Sequence, residues 1–401
     1  MTEELQHNIP VPLSSVWLKA AVLGGLWASV EIIIGSFFHN LRIPFAGTIL
    51  AANGTILMIA FYQMWPEKGL IWRAGLITAL MKSVSPSAVI LGPMIGIMTE
   101  ALIVELFIRF LGNNLLSLSV AGALGVSSAL IHKVVSLIIL YGLNIVKLYV
   151  DIFNWLAKQV QIEEPDPWML LVIVTLVYLL FGISAAIIGY KVGKNASENG
   201  YDKQGFLPRK NEKNKLFTLD PDQNFTVVLF YLHLFMIPLG LIILNYLELQ
   251  FGILFIAIYT TFCITWYKRS LRRLKKPAFW GQLIILTFLA SLFWNGFRSD
   301  GSLFESEGLI IGLEMNLRAF FIVIAFSSFG VELRNPVIRD YLSTKGFDKI
   351  YTALGLSFTA LPVIIEAMPK PKVILRHPIN SFSLMMIHAR EWLEVFGKGK
   401  G

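Results

Sequence analysis

The chain has 401 residues, of which 55% are hydrophobic and only 15% are charged. Soluble domains carry about 25% charged residues, so there is too little polar side chain here to wet a globular surface, and a soluble enzyme is excluded. Lys and Arg number 34 against 26 acidic residues, a net charge of +8, and the single cysteine, Cys263, excludes a disulfide framework or a Cys-based metal site.

A helix needs about 20 mostly apolar residues to cross a hydrocarbon core of roughly 30 Å. In chain order that rule predicts crossings at 16–37, 46–64, 70–85, 88–109, 115–141 and 168–190, then at 225–245, 250–267, 279–296 and 308–331. The expected fold is an all-α polytopic membrane protein with about ten transmembrane helices, six plus four, and cytoplasmic amphipathic helices at the C-terminus. No ten-residue alternation suggests a barrel. The run that begins near Val16 is too long for a cleavable signal peptide and lacks a small-residue cleavage site. The third span is short and ends in Lys82-Ser83-Val84-Ser85-Pro86, and the fifth runs on toward an outer helix.

In the first span Ala20, Gly24 and Ala28 recur every four residues, as do Ala21, Gly25 and Ser29. Small residues on one helical face let a second helix approach closely, so the motif marks an interface, either within the bundle or with a partner module. Ionisable residues inside spans are costly and are functional candidates by default. The first six spans hold Glu31, Lys82, Glu100, Glu105, His132 and Lys133, with Asn53 and Thr55 as neutral neighbours. Glu31 and Glu105 are equally plausible as structural partners. Asn53, Lys82, Glu100, His132 and Lys133 form the candidate set for a small polar ligand. Lys82 suits an anionic group and Glu100 a cationic amine, so the ligand stays open.

Gly189-Tyr190-Lys191-Val192-Gly193-Lys194-Asn195 resembles a phosphate loop only superficially. Its spacing is one residue short, and Asn195 stands where Ser or Thr would hold Mg²⁺. No His-Glu-x-x-His occurs, so the expectation is no catalytic or metal site, no directly bound cofactor, and ATP with Mg²⁺ only through other chains. Residues 191–220 then read as a polar cytoplasmic linker, dividing a six-span module (1–190) from a four-span module with a long tail (221–401). In the last span Glu314 and Arg318, spaced i, i+4, neutralise each other on one face. The tail carries amphipathic segments at Phe347–Ala367 and Ile379–Phe396, parted by Pro369-Lys370-Pro371.

With the N-terminus inside, inner segments together with the inner ends of the spans hold 27 of the 34 basic residues, so both termini are expected to be cytoplasmic in an inner membrane. The positive charge is therefore topological, and nucleic acid is not an expected partner.

The six-span, small-residue-rich module resembles the substrate-binding S component of energy-coupling factor (ECF) vitamin transporters, whose small-residue face docks in the manner of Ala20, Gly24 and Ala28. The second module is similar to the T component, the scaffold that couples to two ATPases. Leu219-Asp220-Pro221 resembles that family's Asp-Pro opening, and Arg272-Arg273-Leu274-Lys275-Lys276-Pro277 and Leu317-Arg318-Ala319-Phe320 follow its pattern. The stretch from Leu361-Pro362 to Glu366-Ala367, and His388-Ala389-Arg390-Glu391, are similar to its coupling segments. The first Ala-Arg signature is replaced by Ala367-Met368-Pro369-Lys370, and Glu391 stands where Gly follows the second Arg. The resemblance implies a membrane subunit of an ATP-driven importer, with a vitamin-like substrate and two ABC-type ATPase partners. It implies coupling helices over about 338–396, with ATPase contacts at Pro362, Glu366, His388 and Arg390. An ion-driven secondary transporter, with Glu100, Lys133 and Glu314 as the relay, is the alternative.

Overall fold

The computed structural model describes residues 13–40, 45–82, 91–161, 166–198, 226–267, 277–293, 306–332, 337–338, 341, 343–367, 373, 376 and 378–397. Most of the linker and the motifs at 219–221 and 272–276 lie outside the described residues, as does Pro369-Lys370-Pro371. Within those described, regular structure is helical and no strand occurs.

Among the described residues, the helices of the first part are α1 Ser15–Asn40, α2 Ala46–Met64, α3 Leu70–Lys82, α4 Leu91–Leu111, α5 Leu115–Tyr141, α6 Asn144–Gln159 and α7 Pro167–Glu198, the last running into the start of the polar segment at 191–220. Beyond that segment come α8 Val227–Tyr246, α9 Leu249–Trp266, α10 Pro277–Phe293, α11 Ser306–Glu332, α12 Asp348–Ala367 and α13 Pro378–Gly397. Among the described residues seven of these are long and apolar enough to cross a membrane: α1, α2, α5, α7, α8, α9 and α11. The protein is thus an all-helical membrane protein. The other three expected crossings are described in part: α3 over 13 residues, α10 over 17, and α4 over 21 with Glu100, Glu105 and Arg109.

Local chemistry sets the helix ends. The Asn114 side chain accepts the Ser117 amide at 2.8 Å and starts α5. Gly142, at φ +75°, stops it and separates the outer extension as α6. The Glu105 carboxylate of α4 accepts the Gly69 and Ile71 amides at 2.6 and 3.1 Å, meeting the positive end of α3. Around the α2–α3 turn Lys19 pairs with Glu67, and the Arg73 guanidinium lies 5.1 Å from the Trp17 ring centroid and 4.6 Å from that of Trp72. Such amphipathic rings with cations are typical of a membrane–water boundary.

The largest core joins α1–α5 and α7, packed α1 on α3, α3 on α4, α4 on α5, with α7 against α2 and α5. Helices here approach very closely. A Cβ on Gly122 would lie 2.6 Å from the Gly182 carbonyl oxygen, so α5 and α7 touch backbone to backbone. The same core continues through the tail: Ala353, Leu356, Leu361 and Ile364 of α12 and Phe382, Met386 and Ala389 of α13 are buried in it. Both tail helices pack on α1, with α12 also on α3 and α13 on α7.

A second core gathers α8, α9 and α11 around Tyr259, Tyr267 and Phe321. Helix α10 packs on α11, and α6 closes on α10 through Trp155 and Phe293, whose rings sit 5.3 Å apart. Tyr149 of α6 donates to the Pro167 carbonyl at 2.6 Å, and burial, then the Asp166 carboxylate, pushes its hydroxyl up.

Candidate functional site

Several polar residues of the first six spans, Glu31, Thr55, Lys82 and Glu100, are buried inside the α1–α5 bundle. Lys82, at the end of α3, donates to the Glu31 carbonyl at 2.8 Å and lies 3.3 Å from its carboxylate, with both residues buried. This pair crosses from α3 to α1. One layer away, Thr55 of α2 donates to the Glu100 carboxylate of α4 at 2.8 Å, again fully inside. Gly125 of α5 faces that pair: a Cβ there would lie 3.6 Å from Thr55 Oγ1 and 3.7 Å from Glu100 Cγ. One turn from Glu100 on α4, Gly96 faces His132, whose Nδ1 is 3.2 Å from Ser136 Oγ. Glu100 and His132 thereby line the same α4–α5 seam. Asn53 is half-buried beside Gly54, the glycine that leaves room for the Trp27 indole. The Trp27 Nε1–H is buried there without a hydrogen-bond partner. Lys133 is exposed on the outer side of α5 and does not join the group.

Of the five candidate ligand residues, the fold therefore draws Lys82, Glu100 and His132 into the bundle, with Asn53 at its edge. Lys82 is already neutralised by Glu31, and Glu105 is occupied at the α3 terminus. A pair held this way can bind a polar molecule only by exchanging partners, since burying an unmatched charge is costly. The members of the alternative relay have different partners: Glu100 has Thr55, Lys133 is exposed, and Glu314 lies 3.8 Å from Arg318.

The small-residue stripes of α1 serve two neighbours. Ala20, Gly24 and Ala28 are fully buried, and a Cβ on Gly24 would lie 2.8 Å from Ile77 of α3, whose neighbour Thr78 donates to the Gly24 carbonyl. The adjacent stripe receives the tail. Ser357 of α12 donates to the Ala21 carbonyl at 2.8 Å, and a Cβ on Gly25 would sit 3.3 Å from Ile364. The interface on α1 thus lies one residue over from the Ala20/Gly24/Ala28 face. On α13, Arg390 Nε lies 3.0 Å from Met64 Sδ at the end of α2, and His388 Nδ1 is 3.2 Å from Glu391. Pro362 and Glu366 fall within α12, and their side chains lie outside the described residues.

Two arrangements were not singled out in the sequence. Arg318 donates to the carbonyls of Tyr141 and Leu244, each at 3.2 Å, and so caps the C-terminal ends of α5 and α8 from α11. Arg318 also keeps the i, i+4 ion pair with Glu314 that the spacing suggests, at 3.8 Å. The second is a buried chain in the α8, α9, α11 core. His233 Nδ1 is 2.7 Å from the Tyr259 hydroxyl, its Nε2 is 2.9 Å from that of Tyr267, and Tyr267 donates to Glu332 at 2.7 Å. His233 and Glu332 are ionisable residues within or at the edge of spans, so the rule applied to the first half would have found them.

Among the described residues no group of three or more His, Cys, Asp or Glu is placed to hold a metal ion. Compared with protein-family models, curated proteins and solved structures, the chain matches none of them. Its class rests on its own architecture: an α-helical polytopic membrane protein with a buried polar seam and two tail helices packed on that bundle.

Proposed function

We propose that the chain is the membrane subunit of an ATP-driven importer of the ECF type. In this reading the α1–α7 bundle binds a vitamin-like micronutrient from outside, and the second half carries force from two separate ABC-type ATPase subunits. ATP hydrolysis belongs to those partners. The chain crosses the cytoplasmic membrane ten times, with α3, α4 and α10 as the added crossings and both termini inside.

The observation that supports it is the packing of α12 and α13 on α1 and α7. The tail helices of the second half reach back to the first half and bury Leu356, Ile364, Phe382 and Met386 there. A push on their outer faces, where Ile379 and Leu384 are exposed, would be delivered directly to the ligand-binding bundle. Carrying both halves in one chain keeps them at high effective concentration. The test is mass spectrometry of the tagged protein purified in mild detergent from its own host. A stoichiometric pair of ABC-type ATPases, with a retained small molecule, is expected. Recovery of the chain alone after gentle cross-linking would overturn the reading.

A further inference from the structure

The turn between α2 and α3 gathers more cation than it neutralises. Lys19 is taken by Glu67, and the Glu105 carboxylate is taken by the Gly69 and Ile71 amides. Arg73, in the first turn of α3, and the exposed Lys68 and Arg109 form no ion pair among the described residues. Arg109 of α4 is close enough to act electrostatically on Arg73.

Arg73 is held in place by its neighbours. Its guanidinium lies against the Trp17 and Trp72 rings, which meet edge to face at 6.2 Å, and its Nη1 donates to the Gly69 carbonyl at 2.9 Å. Nε is enclosed without a partner, whereas Nη2 is open and unpartnered. The Trp72 Nε1–H is likewise open and unpartnered. The two groups stand side by side. A Cβ on Gly69, where φ is +85°, would run into Arg73 Nη1 and lie 3.3 Å from Arg73 Cζ and 3.1 Å from Trp72 Nε1. A guanidinium beside an indole N–H offers donors and no acceptor, which is the complement of a phosphate.

The surroundings point to a lipid as the source of that phosphate. Trp rings with cations mark a membrane–water boundary, where headgroups lie. On α4, Leu102, Leu106 and Arg109 share one face at i, i+4 and i+7, and both leucines are exposed. An apolar wall therefore leads away from the cationic end.

We propose that the α2–α3 turn and the end of α4 bind the headgroup phosphate of an anionic phospholipid. Arg73 and Trp72 donate to the phosphate, and an acyl chain lies along Leu106 and Leu102. The unpaired Lys68 and Arg109 favour a headgroup of net negative charge over a zwitterionic one. The inference stands independently of the importer reading, because it rests only on α1, α3, α4 and the turn before α3.

The test uses the full-length protein in phosphatidylcholine nanodiscs with a diazirine-bearing phosphatidylglycerol as the photoprobe. Labelled positions are mapped by mass spectrometry. Labelling is expected to concentrate on α1, α3 and α4, and unlabelled phosphatidylglycerol should displace it about tenfold better than phosphatidylethanolamine or inorganic phosphate. Arg73→Gln should weaken displacement about tenfold, the worth of one charged hydrogen bond, and Trp72→Phe, which keeps a ring but no N–H, about fivefold. Lys191→Gln removes an exposed cation from α7 and should change nothing, which separates the site from general attraction to a basic protein. Trp72→Phe carries the test alone if Arg73→Gln fails to accumulate, and parental displacement in Trp72→Phe would overturn the assignment. Equal displacement by inorganic phosphate would overturn the lipid and leave a free-anion site. Equal displacement by phosphatidylethanolamine, or even labelling of α4, α8 and α10, would overturn the proposal and leave only annular lipid.

Discussion

The two halves of the chain solve the same problem, helix association in lipid, by opposite means. The α1–α7 bundle packs small residues and backbones together, and 78% of Ser15–Ile32 is buried. The α8–α11 scaffold packs rings, stacking Phe255 on Tyr259 and Phe262 on Trp266, and only 11% of Val227–Tyr246 is buried. Close backbone packing makes a bundle that moves as one piece, because a shift of any helix meets main chain. Ring packing around a narrow core leaves wide lipid-facing walls. The difference suits a first half that is handled as a body and a second half that holds it.

The comparison breaks first at the buried charges of the bundle. Lys82→Met leaves Glu31 inside without its cation and should cost about 3–5 kcal/mol, while Lys82→Met with Glu31→Leu should recover most of it. Thermal melting in detergent reads both, and equal stability of the single and double variants would mean the pair is solvated. Gly182→Leu comes next. Its side chain would have to occupy the space of the Gly122 main chain, so a loss of about 3 kcal/mol or failure to accumulate is expected.

In the second half the effects are smaller. Tyr267→Phe takes one donor from Glu332 and one partner from His233, for an expected loss of about 2 kcal/mol. Arg318→Lys keeps the charge but not the fork that reaches two helix ends. About 1 kcal/mol is expected, with faster hydrogen exchange at the ends of α5 and α8 as the local sign. A Tyr267→Phe loss as large as that of Lys82→Met would erase the contrast between the halves.

The helical class and most element positions were legible in hydropathy because each span is a long apolar run in its own right. The stop at Gly142 was less so, since apolar character continues on both sides of it and only the positive φ separates α5 from α6. Glu31, Lys82 and Glu100 were legible as costly residues, but their partners were not. Which carbonyl Lys82 reaches depends on how α1 and α3 cross, and that is set by Gly24 against Ile77. The two stripes of α1 look alike in sequence. Only the packing distinguishes the Gly24 face, taken by α3, from the Gly25 face, taken by α12. Lys133 and His132 are neighbours in sequence with opposite fates, because adjacent positions on a helix point about 100° apart.

The most direct test of the account joins α1 to α12. Gly25→Cys and Ser357→Cys, in a Cys263→Ala background with a protease site inserted at residue 210, place two Cβ atoms about 3.5 Å apart, within reach of a disulfide. After mild oxidation in native membranes and cleavage, the account predicts that the two halves stay linked until a reductant is added. Halves that separate at every oxidant concentration, with both thiols free, would contradict the docking of the tail on the first bundle.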